Sequence, residues 1–161
     1  MSRIGASGVL AAVLAAAVAT GCGGDSSSTG KNDFADRADQ ICADVSKNVA
    51  QLNQKSPRSV AELTTFIEQL KKTEKEGIAR LQALKLPSGK DGTTAKQFVD
   101  TLQQEFNQQV LPALDQVERA VRKRDKKALK AASLRLQKAQ KEKKSTLLAA
   151  QLGASQCATG A

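Results

Sequence analysis

From Asn32 onward the apolar residues of this chain recur every three or four positions, stretch after stretch. In the first stretch Phe34, Ala38, Ile41, Val45, Val49 and Leu52 are spaced 4, 3, 4, 4 and 3 apart. That is the period of one helix face. Asn32 or Asp33 can cap the start, and Pro57 lies beyond the end. A second helix opens at Ser59, with Glu62 three residues on in a capping-box arrangement, and Val60, Leu63, Phe66, Ile67, Leu70, Ile78, Leu81 and Leu84 carry its stripe. Gly77 is its weak point, costing about 1 kcal/mol against Ala where exposed. After the loop Leu86–Gly92, a third helix begins near Thr93 or Thr94 and runs through Phe98, Leu102, Phe106, Val110, Ala113, Val117 and Val121. Pro112 inside it removes a backbone donor and predicts a kink near residues 108–111. A fourth helix, capped by Asp125, presents Leu129, Ala132, Leu136, Ala139, Leu147 and Ala150 on one face and ends at Gly153.

Four such helices with short connections predict an all-α domain over residues 32–161, an antiparallel up-down-up-down four-helix bundle. Composition agrees. Hydrophobic residues make up 40% of the 161, but aromatics only 2%, with no Trp or Tyr. A core of Leu, Val, Ile and Ala suits helices.

The same composition narrows function. The chain has no His, which removes the usual general base near neutral pH and the commonest metal ligand. No phosphate-binding glycine loop, zinc-protease helix, nucleophile elbow or Cys-x-x-Cys pair occurs. Glu62, Glu68, Glu74 and Glu76 read as ordinary exposed helix residues. None falls on an apolar stripe as a bundle di-metal site requires. The sequence therefore points to no catalytic residues, no metal and no cofactor, and the expected class is non-enzymatic binding or scaffolding.

Residues 1–21 read as an export signal: Arg3, then an uncharged run from Gly8 to Thr20, too short for a bilayer span of about 20 residues. Two cleavage sites compete. Ala17-Val18-Ala19 suits ordinary signal peptidase, cutting after Ala19 and releasing a secreted protein. Ala19-Thr20-Gly21-Cys22 resembles a bacterial lipobox, with Cys22 lipidated and the protein anchored to the outer face of the cell membrane. Residues 22–31 then form a lipidated cysteine and a flexible Gly/Ser linker.

Cysteine arithmetic favours the second route. Cys22, Cys42 and Cys157 are an odd set, and an exported chain leaves one unpaired. Lipidation of Cys22 leaves Cys42 and Cys157, which an antiparallel bundle brings to the same end. A disulfide between them is expected; two unrelated buried thiols are the alternative.

Charge is concentrated. The formal net charge is +9. From Glu118 to Lys144 there are 12 Lys and Arg against 3 acids, while Cys22–Val117 holds 12 basic and 13 acidic residues. Arg119, Lys123, Lys127, Lys130, Lys138 and Lys141 are the candidate polyanion-binding residues, for anionic lipid or wall polymer. The competing expectation is a solvated face partly neutralised by Asp33, Asp36, Asp39 and Asp44 of the first helix. Nucleic acid is not expected as a partner, since the four Phe all lie on core stripes. An envelope protein is the other candidate partner.

Together, the leader, the Ser/Gly tract, the segment FADRADQICADV (Phe34–Val45) and the Leu152–Cys157 tail resemble small actinobacterial lipoproteins of unknown function. The resemblance implies a lipid-anchored helical domain and brings no activity. Arg124-Asp125 stands where such proteins often carry Gly-Asp.

Overall fold

Phe34, Ala38, Ile41 and Val45 are all buried on one side of α1 (Thr29–Gln54), as their spacing requires. The computed structural model describes residues 29–141 and 143–159, and the chain is all-helical over them. The signal segment, Cys22 and most of the linker lie outside the described residues. α1 begins three residues before the expected Asn32 cap, so 29–31 belong to the helix rather than to the linker.

α2 (Val60–Gln82) starts as predicted: Ser59 Oγ accepts from Glu62 N–H at 3.1 Å, and Glu62 reaches back to accept from Arg58 N–H at 2.6 Å. Gly77 is buried rather than exposed, because a Cβ there would lie 2.5 Å from Val45 Cγ2. The glycine lets α1 and α2 approach closely. α3 (Gly89–Glu105) starts earlier than expected, taking Gly89 and Gly92 out of the loop.

The expected kink is a π-helical turn, Phe106–Val110, leading into α4 (Leu111–Arg122). Pro112 has no N–H to donate, and its ring would clash with the carbonyl four residues back. The wider turn, in which Leu111 N–H bonds the carbonyl of Phe106, accommodates it.

The predicted fourth helix is two helices, α5 (Lys126–Lys141) and α6 (Lys144–Leu152), separated at Lys143 by an extended backbone (φ −80°, ψ 107°). The break shifts the helical phase. Ser145, Ala149 and Leu152 are buried, whereas the expected core positions Leu147 and Ala150 are exposed, Leu147 by 67%. Its cause lies in another helix. The buried Glu105 carboxylate accepts from Lys144 N–H (2.6 Å), Ser145 N–H (3.2 Å) and Ser145 Oγ (2.6 Å). It caps α6 as a side chain within the helix's own sequence ordinarily would.

α1 packs on α2, α3 on α6, and α4 on α5, while α2 also touches α3 and α4. The main core gathers Phe34, Ile41, Leu81, Phe98 and Leu152. α7 (Ser155–Ala158) folds onto α1 and α6 at this end. Cys42 and Cys157 form a disulfide there, with Cα atoms 5.3 Å apart. Beside it, Asp39 accepts from Ser155 Oγ (3.0 Å), Gln156 N–H (2.8 Å) and Cys157 N–H (3.2 Å). The far end is different. α5 rests mainly on α4 and the π turn, and its buried side chains are only Ala132 and Ala139.

Candidate functional site

Two features stand apart from ordinary packing. The first is a small cavity of about 50 Å³ behind the disulfide, walled by Ile41, Ile78, Phe98 and both cysteines. Glu74 and Lys143 also line it. Glu74, expected to be an ordinary exposed residue, is half-buried and makes no hydrogen bond or ion pair with the described residues. Burial pushes its carboxyl pKa up, and the Lys143 charge pulls only partly against that. A space this size admits little more than a water or two.

The second is the α4–α5 hairpin. Its tip is a tight turn in which Arg124 adopts a left-handed conformation (φ 54°). Asp125 N–H bonds the carbonyl of Ala120, closing a Schellman motif. Asp125 then caps α5, as its sequence position predicts, accepting from Ala128 N–H at 2.9 Å. Arg124 occupies the left-handed position of this turn, where glycine would fit without strain.

All six candidate polyanion-binding residues are exposed on this hairpin, Arg119 and Lys123 from α4 and its end, Lys127, Lys130, Lys138 and Lys141 from α5. None is paired with an acid among the described residues. The expected neutralisation by the first helix does not occur. Asp33 pairs with Arg37 of its own helix at 3.0 Å, Asp44 with Arg80 of α2 at 2.8 Å, and Asp39 is occupied with α7. α1 is committed to α2 and α7, and α5 lies elsewhere.

The acids near the hairpin look inward instead. Lys71 of α2 donates to Asp115 and to Glu118 (3.0 Å) of α4, and Glu118 also takes Arg122 at 2.8 Å. The bond from Lys71, opposed by burial and helped by Arg122, holds the Glu118 carboxyl below its usual range. Burial works against the Lys71 ammonium, but its two carboxylate partners outweigh it and its pKa rises. These groups tie α4 to α2 and neutralise Arg122, but they leave the six candidate cations unpaired.

Between the π turn and α5 runs a polar cleft of about 320 Å³, walled by Gln108, Gln109, Gln116, Arg135 and Lys138. Arg135 donates to Gln116 across it at 2.8 Å. Among the described residues no cluster of His, Cys, Asp and Glu could hold a metal ion, and no helix is long and apolar enough to cross a membrane. No family model matches the chain, and neither the curated proteins nor the solved structures offer a match.

Proposed function

We propose that this protein is a non-enzymatic binding domain, anchored through a lipid on Cys22 to the outer face of a bacterial cell membrane, that engages polyanions through its α4–α5 hairpin. The arrangement of its arms, α1, α2, α3–α4 and α5–α6, is read as an up-down-up-down bundle whose third and fourth arms are each interrupted, by the π turn and by the break at Lys143. The observation that carries the binding role is the hairpin's row of exposed, unpaired cations. Cations in that state keep their full field for a partner, and a surface of one sign attracts its opposite at range. The lipobox-like Ala19-Gly21-Cys22 pattern and the pairing of the other two cysteines support the anchor.

Salt tests the binding. Retention of the full chain on immobilised polyanion falls steeply between about 0.05 and 0.5 M salt if the contact is electrostatic; flat retention over that range overturns the reading. Intact-mass analysis of the membrane fraction tests the anchor. It shows an acylated N-terminal Cys22, and Cys22→Ser misprocesses or releases the protein. A mature N-terminus at Thr20 with a free thiol makes the protein secreted instead. An envelope scaffold that uses the hairpin for no polyanion is the alternative; crosslinking from native membranes then recovers one protein partner whose binding is insensitive to salt.

A further inference from the structure

On α5, Lys127, Lys130, Leu134, Lys138 and Lys141 are spaced 3, 4, 4 and 3 apart. At 100° per residue all five fall within a sector of about 80°. Ala132 and Ala139, the buried residues of α5, project from the opposite side. The five therefore form one straight stripe along the outside of the hairpin. Leu134 lies at its centre and is 55% exposed. Two lysines stand on either side of it along the helix, and no acid of the described residues pairs with any of the four. Lys138 also opens onto the Gln- and Arg-lined cleft beside the π turn.

We infer that this stripe docks on an anionic lipid bilayer, with Leu134 entering the interface and the four lysines meeting headgroup phosphates. The inference rests on the polyanion reading of the hairpin and narrows it to one partner. The leucine makes the distinction. A wall polymer or any other solvated polyanion would satisfy the ammonium groups but offer Leu134 nothing. A bilayer satisfies both, because basic residues flanking an apolar one match its charged surface and its acyl boundary in register. Lysine also suits this geometry, since its apolar stem can lie along the interface while the ammonium stays at the phosphates. A second copy of the chain is a poor occupant, because the stripe repels itself. The tether permits the contact: the seven steps from Cys22 to Thr29 span at most about 25 Å, enough for the domain to lie along the surface.

The chain has no Trp, so Leu134→Trp introduces a single fluorescent probe at the centre of the stripe. Val60→Trp places the same probe at another exposed apolar site, at the start of α2. The full chain is reconstituted in brominated phosphatidylglycerol vesicles or in brominated phosphatidylcholine alone. Soluble poly(glycerol phosphate) binding is measured in parallel. The probe at 134 should shift to the blue and be quenched in the anionic vesicles only, with the quenching lost in about 1 M salt. The probe at 60 should remain unquenched. Adding Lys130→Gln or Lys138→Gln should raise the anionic lipid needed for half-quenching by about fivefold each. No quenching at 134, or equal quenching at 60, overturns the lipid docking. If the polymer still binds in a salt-dependent way, the broader polyanion reading survives; if neither ligand engages the hairpin, both fall.

Discussion

The two ends of this molecule are stabilised by different physics. At one end α1, α3, α6 and α7 meet around Phe34, Phe98 and Leu152, with a disulfide and the three-bond Asp39 cap beside them. At the other, α5 rests on α4 through alanines, and α4 is tied to α2 by the Lys71, Asp115 and Glu118 charges. Alanine faces let two helices approach closely but bury little apolar area, so they contribute less than Leu or Phe faces would. Labour is divided between the two ends. The end that holds the fold is apolar and cross-linked, and the end that carries the unpaired charge is lightly built.

The largest way to break the contrast is to remove the staple. The paired change Cys42→Ala with Cys157→Ala should lower stability by about 4 to 5 kcal/mol in chemical denaturation, given the long loop enclosed. The loss should appear first as faster hydrogen exchange in α7 and α1. Exchange that rises first in α5 would reverse the assignment of which end holds the fold.

Gly153 closes α6 in a second Schellman turn, with its N–H on the Ala150 carbonyl and the Ala154 N–H on the Ala149 carbonyl, and the two turns can be set against each other. Both Gly153 (φ 85°) and Arg124 (φ 54°) are left-handed, one at each end of the molecule. Gly153 is free of strain there, while Arg124 is not, and the difference is worth about 1 kcal/mol. Arg124→Gly should therefore raise the denaturation midpoint and Gly153→Ala should lower it by a comparable amount. Two shifts of the same sign would count against the turn geometry.

Acid should then separate the ends. Glu118 has a folded pKa below its ordinary 4.5. Its stabilisation is fully present above that value and drains as pH falls through the folded one. Below pH 4.5, α4 and α5 amides should lose protection before those of α1 and α6. In alkali the same contact weakens again, since the raised Lys71 keeps its stabilising charge only until pH climbs past 10.5 toward its folded value.

The smallest effect belongs to Glu74. Its folded pKa is raised, so the ionised form is penalised in the fold, and stability from this group is greatest in acid and falls as pH rises. Glu74→Gln should give a small gain at neutral pH that disappears below pH 4, measured by the same denaturation. A gain that persists in acid would mean that packing, not charge, is responsible.

Much of this was legible because it is local. The stripe of α1, the Ser59 and Asp125 caps, the Gly153 stop and the disruption before Pro112 each depend on residues within a turn or two of one another. The Cys42–Cys157 pair was legible for a different reason: an odd set of thiols with Cys22 in the leader leaves these two, and an antiparallel bundle brings them to the same end. What escaped depends on distance. No Gly or Pro marks the break at Lys143, because the capping group is Glu105, some forty positions earlier and on another helix. A single unbroken helix over these residues would turn Leu147 inward; the break turns it to solvent. The partners of the α1 acids are hidden for the same reason: Asp44 meets Arg80 of α2 and Asp39 meets α7, not the cations of α5, because which helices touch is decided by the whole fold. Leu134 is the exception. Its register with four lysines is visible in the sequence, but among residues sorted into core and surface an exposed leucine passes as an imperfect core position.

The disulfide has one further consequence. It joins positions 42 and 157, so every helix from α2 to α6 hangs on a covalent ring. The hairpin tip, with Arg122, Lys123, Arg124, Lys126 and Lys127 exposed in succession, is what a trypsin-like protease would cut first. A cut there opens the ring without dividing the molecule. Both pieces stay covalently bound to each other. A protein built this way can be nicked at its hairpin tip and remain one molecule.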